Sequence, residues 1–219
     1  MFKVGMKNEA AMQFKSLLEL EPDYHDAHFA IGRLLHEAKD WDAALAHYQK
    51  AAELEPGFAV ARYNLVHVYF AQKNYQKAKE EFEQTVELRP NFIGAHINLG
   101  KLAEAEERPN DAANHYRKVL EQKWEPETAH NLVRILAVRE EPSEEDKADG
   151  LKWAKRLYGE AEVKSAMLLE TLSAAHAQAG EFDEAVRWQT KAIQLMPQEK
   201  RQPMQRRLER FLTKQPLRL

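Results

Sequence analysis

The side chains of this 219-residue chain that could do chemistry are nine histidines, four serines and many carboxylates, with no cysteine. Lack of cysteine excludes disulfides, thiolate zinc sites, a haem attachment motif and a cysteine nucleophile. His25 and His28 stand three apart, and His28 and His96 recur at matching positions. A metal centre needs three or four converging ligands, and no such set is visible. The stretch "HEAKD" at residues 36–40 lacks the second histidine of a zinc-protease motif, and no phosphate-cradling glycine loop occurs. Ser16, Ser143, Ser165 and Ser173 have no evident histidine and aspartate pairing. The acidic runs "EEDKAD" and "AEAEE" read as solvated helix faces. The reading is therefore no enzyme, no metal and no other cofactor.

A second set of residues suits recognition better than catalysis. Asn64, Asn98 and Asn131 follow one another at steps of 34 and 33, and Arg33, His67, Lys101 and Arg134 form a basic column. His67, Lys101 and Arg134 each lie three residues after an asparagine, so on a helix the two columns point the same way. An amide donates and accepts, which matches the unpaired groups of an extended peptide backbone. The basic residues would hold carboxylates or a chain terminus, and Phe29, Tyr63 and Phe70 would add an apolar end. The competing reading makes the amides structural, the cations a solvated face and the aromatics core.

The elements behind these columns repeat every 34 residues. Ala10, Ala44, Ala78 and Ala112 keep that step, as do Phe14, Tyr48, Phe82 and Tyr116, and Pro22, Pro56 and Pro90. Self-similarity at such a period signals a repeat architecture. Each unit reads as two amphipathic helices, roughly 25–38 and 41–54 in one unit, with "AKD" as the turn. The alanine permits close helix approach. The aromatic four residues later fills the space beside it, and the proline stops the second helix. One pair cannot bury its own apolar face, so neighbours must stack.

The stretch "AHFAIGRLLHEAKDWDAALAHYQKAAELEP" resembles the tetratricopeptide repeat, and the resemblance covers almost the whole chain. It implies an all-α, right-handed superhelical solenoid of antiparallel helix pairs with a C-terminal capping helix. The expected organisation begins with a partial first repeat over 1–22, mainly its second helix, and three regular repeats over 25–125. A divergent repeat with a longer inter-helix loop follows over 126–162, where "SEED" reads as a capping box at Ser143. A further repeat over 163–197 carries Gly180, Ala185, Ala192 and Pro197, and 198–219 forms the capping helix and tail. Gly5 falls where Gly180 does, which predicts an inter-helix turn. Trp41, Trp124, Trp153 and Trp188 are expected to pack between helices.

The resemblance also implies that first helices line a concave face. The Asn and basic columns would lie there, making the chain a scaffold or adaptor that binds an extended, acidic peptide segment. The alternative is a non-catalytic accessory region of a larger enzyme or complex, present as a fragment. Protein or peptide is thus the expected partner, with self-association through the uncapped first repeat as a further reading. A net charge of −3 makes no case for nucleic acid. No stretch approaches 18 apolar residues and "MFKVGMKNEA" has no apolar signal region, so neither a signal peptide nor a membrane span is expected. The compartment is cytoplasmic if the chain is complete and is otherwise open.

Overall fold

The computed structural model describes residues 2–217, with side chains from Glu9 onward. Twelve α-helices and no strand occur among the described residues. They are α1 Phe2–Leu20, α2 His25–Glu37, α3 Trp41–Leu54, α4 Ala59–Ala71, α5 Tyr75–Leu88 and α6 Ile93–Ala105. The remainder are α7 Pro109–Gln122, α8 Pro126–Leu136, α9 Glu144–Glu160, α10 Ala166–Gln178, α11 Phe182–Gln194 and α12 Gln202–Leu212. Two compact units divide within α6, the first ending at Leu102 and the second beginning at Ala103. In the first unit α1 packs on α2, α2 on α3, α3 on α4 and α4 on α5, and in the second the same succession runs from α7 to α12.

The tight turns between paired helices are built one way. Lys39, Lys73, Glu107 and Gly180 adopt φ of 62°, 58°, 56° and 82°. After each, the next amide reaches back five residues, as in Asp40 to the Leu35 carbonyl at 3.0 Å and Asn74 to that of Tyr69 at 2.8 Å. This left-handed residue satisfies carbonyls that a helix end leaves unpaired. The next residue then caps the second helix: Asp40 Oδ1 accepts from the Ala43 amide and Asn74 Oδ1 from that of Lys77, both at 3.3 Å. At α9 the cap is the capping box predicted at Ser143, with Asp146 completing it. Lys214, at φ 55°, repeats the turn after α12.

Gly5 does not make such a turn, contrary to expectation, because α1 runs through it. An isolated glycine costs a helix only about 1 kcal/mol relative to alanine. A turn needs the left-handed backbone and the five-residue bond described above, and spacing alone does not supply them.

The core of each pair is the alanine and aromatic column. Ala44, Ala78, Ala112 and Ala185 are wholly buried, as are Tyr48, Phe82 and Tyr116. Tyr48 presses so closely on α2 that a Cβ added at Gly32 would lie 2.7 Å from its ring. In the last pair Ser173 stands at the Gly32 position and donates to the Ala185 carbonyl at 2.7 Å. Gln189 stands at the aromatic position, donating to the Met204 carbonyl at 3.1 Å.

Gly32→Ala should therefore lower stability by about 1–3 kcal/mol through overpacking. Lys39→Gly and Lys73→Gly should each raise it by about 0.5 kcal/mol, as relief of left-handed strain outweighs the entropy of glycine. Urea unfolding of the three variants checks both signs.

Candidate binding surface

In the first unit Arg33, His67 and Lys101 are exposed on α2, α4 and α6, one per first helix. The asparagines beside them are half-buried and already bonded. Asn64 Nδ2 donates to the Val60 carbonyl and Asn98 Nδ2 to that of Gly94, both at 2.8 Å, each one turn back along its own helix. Asn98 also hydrogen-bonds the Tyr63 side chain, partly countering the burial that raises the phenol's pKa. The aromatics pack between helices. Tyr63 lies 4.7 Å from Phe92 and 5.8 Å from Phe82 between ring centroids, and Phe29 lies 5.0 Å from Phe58. Phe70 is exposed and meets Tyr75 edge-on at 5.7 Å.

His67 is a weaker cation than its place in the column suggests. One side of its ring faces solvent, while the other meets Tyr63 at 5.4 Å and His36 at 5.6 Å. Burial, then the charge of His36, holds its pKa below the usual 6.5. At neutral pH it is uncharged.

In the second unit Arg134 is exposed but paired with Glu104. Glu104 Oε1 also accepts from the Tyr116 hydroxyl at 2.7 Å. Burial pushes that phenol up to about 12, with Asn131's hydrogen bond acting in the opposite direction and Glu127 adding to the rise. Within the basic column, then, Arg134 is neutralised by a carboxylate and His67 is held below its usual pKa.

Two apolar hollows flank Arg134, and sequence reasoning missed both. One, of about 520 Å³, is lined by Glu104, Pro109, Arg134, Ile135, Val138 and Glu140 among others. The other, of about 260 Å³, lies against Val133, Ala137, Val138, Met167, Ala174 and Leu217. The legible signal was the divergent stretch itself: α8 has 11 residues where α4 and α6 have 13. The loop after it is tied down by Gln178, whose Nε2 donates to the Arg139 carbonyl at 2.6 Å. Asp146 anchors the far side, accepting from Arg117 at 2.6 Å and Arg139 at 2.5 Å. Burial alone would raise the Asp146 carboxyl, but these guanidinium bonds and the Ser143 amide hold it below its ordinary value.

The histidines serve packing. His96 is buried and its Nε2 donates to the Pro90 carbonyl at 2.8 Å, and His28 does the same to Pro22 at 3.0 Å. Among the described residues no three metal-ligating side chains converge, and no helix is long and apolar enough to cross a membrane.

The tetratricopeptide repeat family matches residues 5–57, 35–96 and 165–196. The chain belongs to that family. Its repeats form protein–protein interaction scaffolds and are generally non-catalytic. No curated protein matches the chain in sequence. Among solved structures it is similar to YrrB, at 20% identity over 91% of this chain and 99% of that one, with a TM-score of 0.68. It is also similar to PilF of Pseudomonas aeruginosa, at 20% identity over 94% of this chain and 91% of that one, with a TM-score of 0.58. Both likenesses concern the fold.

The histidine contacts predict an acid-sensitive fold. His28 Nε2 already donates to Pro22, so neutral His28 accepts at Nδ1 from His47 Nδ1, 3.1 Å away. Burial, then His28 and Lys15, lowers the His47 pKa. Groups whose folded pKa is depressed stabilise above the unfolded value, near 6.5, and that contribution is lost as pH falls through the folded value. The melting temperature should hold from pH 8 to 7 and decline below about 6.5. His47→Gln should flatten part of that decline in a thermal melt series.

Proposed function

We propose that the first-helix face of the N-terminal unit binds an extended, acidic segment of a partner protein. The observation that carries this reading is the exposure of Arg33, His67 and Lys101, one on each successive first helix. Arg33 engages no carboxylate among the described residues, so its guanidinium remains available to one from outside. Asn64 uses one N–H within its own helix, while Asn98 bonds both the Gly94 carbonyl and the Tyr63 side chain. Each amide has two N–H donors and a carbonyl oxygen, so further capacity toward a peptide backbone remains. Stacked helices fix these groups before the peptide arrives, so little receptor entropy is lost on binding. YrrB, which shares the fold, is described as a TPR protein with an unusual peptide-binding site, and the reading places a comparable activity here.

The test is fluorescence anisotropy with a fluorescein-labelled acidic peptide library and its glutamine-substituted counterpart. Acidic peptides should bind, and Arg33→Ala/Lys101→Ala should weaken them about tenfold, near the upper range for two exposed charges. Affinity should fall with added salt. It should rise as pH falls below about 6.5 and His67 gains its proton, and His67→Gln should remove that rise. Equal binding of acidic and neutral peptides would overturn the reading.

A further inference from the structure

α1 is the least anchored helix of the first unit. From Glu9 onward none of its residues is buried, and Ala10, Phe14, Leu17 and Leu18 are half-buried. Every other α-helix among the described residues buries at least two. Two side-chain contacts tie down the connection that follows α1. His28 Nε2 donates to the Pro22 carbonyl at 3.0 Å, and Lys50 reaches Asp23 at 3.5 Å. The second joins exposed groups and holds little. An element secured so thinly opens on its own before the rest of a domain unfolds.

The first contact belongs to a pair that can lose its bond. His28 and His47 meet through their Nδ1 atoms at 3.1 Å, which requires one nitrogen to carry a hydrogen and the other to lack it. One added proton goes to His47 Nε2 and leaves that bond intact. A second can go only to His28 Nδ1, where it destroys the contact.

The surroundings oppose both protons. Burial acts most strongly on His47, followed by the charges of His28 on α2 and Lys15 on α1. Glu19 stands exposed one turn beyond Lys15. Asp23 is engaged by Lys50, and Asp26 by His25 at 3.5 Å. Arg33, His36 and Glu37 lie further along α2. α4 also packs on α3, but its Arg62 pairs with Glu81, its His67 meets His36 and Tyr63, and its Tyr69 accepts from Gln49. Opening α1 removes Lys15 from His47 and admits water to the imidazoliums. The open state therefore binds more protons than the closed one, so closure weakens as pH falls below about 6.5.

We propose that α1 is an acid-released helix: protons taken up at the His28–His47 pair detach it from α2 while the rest of the first unit stays folded. Release bares Phe14, Leu17 and Leu18 together with the surface of α2 that they cover. A melt of the whole chain averages over both units, whereas the device concerns one helix.

Hydrogen–deuterium exchange read by mass spectrometry follows each helix at about pH 7.5 and about pH 5.5, with labelling times scaled for the pH dependence of intrinsic amide exchange. Peptides of α1 should be protected at the higher value and exchange about tenfold faster at the lower, the factor for one proton taken up over one pH unit. Those of α3 to α5 should keep their protection. His28→Gln/His47→Gln should leave α1 protected at both values. Lys15→Glu, at an exposed position, should move the opening to lower pH, because a carboxylate there favours the protonated pair. Circular dichroism at neutral pH establishes that both variants are folded, and if the double variant is not, the direction of the Lys15→Glu shift decides. The proposal is overturned if α1 exchanges equally at both values, if it loses protection only together with α3 to α5, if the folded double variant opens as the unsubstituted chain does, or if Lys15→Glu leaves the opening in place.

Discussion

The structure depends on how closely two helices of a pair can approach. At α2 and α3 the limit is set by Gly32 against the Tyr48 ring, where even a methyl group would sit 2.7 Å away. Such contact is possible only if one helix presents no side chain at that point and the other presents a flat, rigid one. The wholly buried alanine one turn before each aromatic completes the fit. Interiors packed to this density respond to single methyl groups. The last pair keeps the spacing with different chemistry. Ser173 fits the close approach because it can bond the Ala185 carbonyl, and Gln189 replaces the aromatic because α12 offers it the Met204 carbonyl. A polar side chain is tolerated there because its donor is satisfied.

The same tight pairing decides which polar groups remain for outside partners. Tyr116 is buried, but its hydroxyl must still find an acceptor, and Glu104 supplies it. That carboxylate then holds Arg134, so a packing requirement inside the pair removes a charge from the surface. Tyr48 meets its need differently, with its hydroxyl 3.4 Å from His36 Nδ1. His36 in turn borders His67. In one pair the carboxylate that satisfies the aromatic neutralises an arginine, and in the other the partner of the aromatic hydroxyl is a histidine.

The helix-pair fold was legible in the sequence because period, caps and breakers are local signals. Ala44 and Tyr48 lie one turn apart, and Asp40 and Ala43 lie within one cap. The surface was less legible because its state depends on residues distant in sequence. Glu104 and Arg134 are separated by 30 positions, and nothing in the basic column announces their pairing. The Asn column shows the opposite failure. Its residues are spaced as recognition groups would be, but Asn64 and Asn98 also lie four residues after a carbonyl on their own helix and bond to it. Spacing alone does not separate these roles, because a helical repeat places both kinds of partner at the same interval. His28 and His96 are simpler: both tie the proline carbonyl six residues earlier. Gly5 misled because a glycine is read as a turn only when the bonds of a turn surround it.

The divergent stretch shows how a recessed surface arises from a packing defect. α8 stops at Leu136, and the chain leaves the helix while α10 continues beside it. Polar groups freed by that early stop need partners if they are buried. Gln178 of α10 takes the Arg139 carbonyl, while Arg139 itself turns to Asp146 at the start of α9. These bonds fix a loop where the other pairs have a three-residue turn. α8 is two residues, about half a turn, shorter than α4 and α6, and a fixed loop lies where its continuation would run. Apolar walls around an unfilled volume lose contacts that a docked side chain would restore. On this argument the hollows beside Arg134 follow from the short helix and its polar clamp together. Releasing the clamp at Gln178 would let the loop close over them, and a longer α8 would fill them outright.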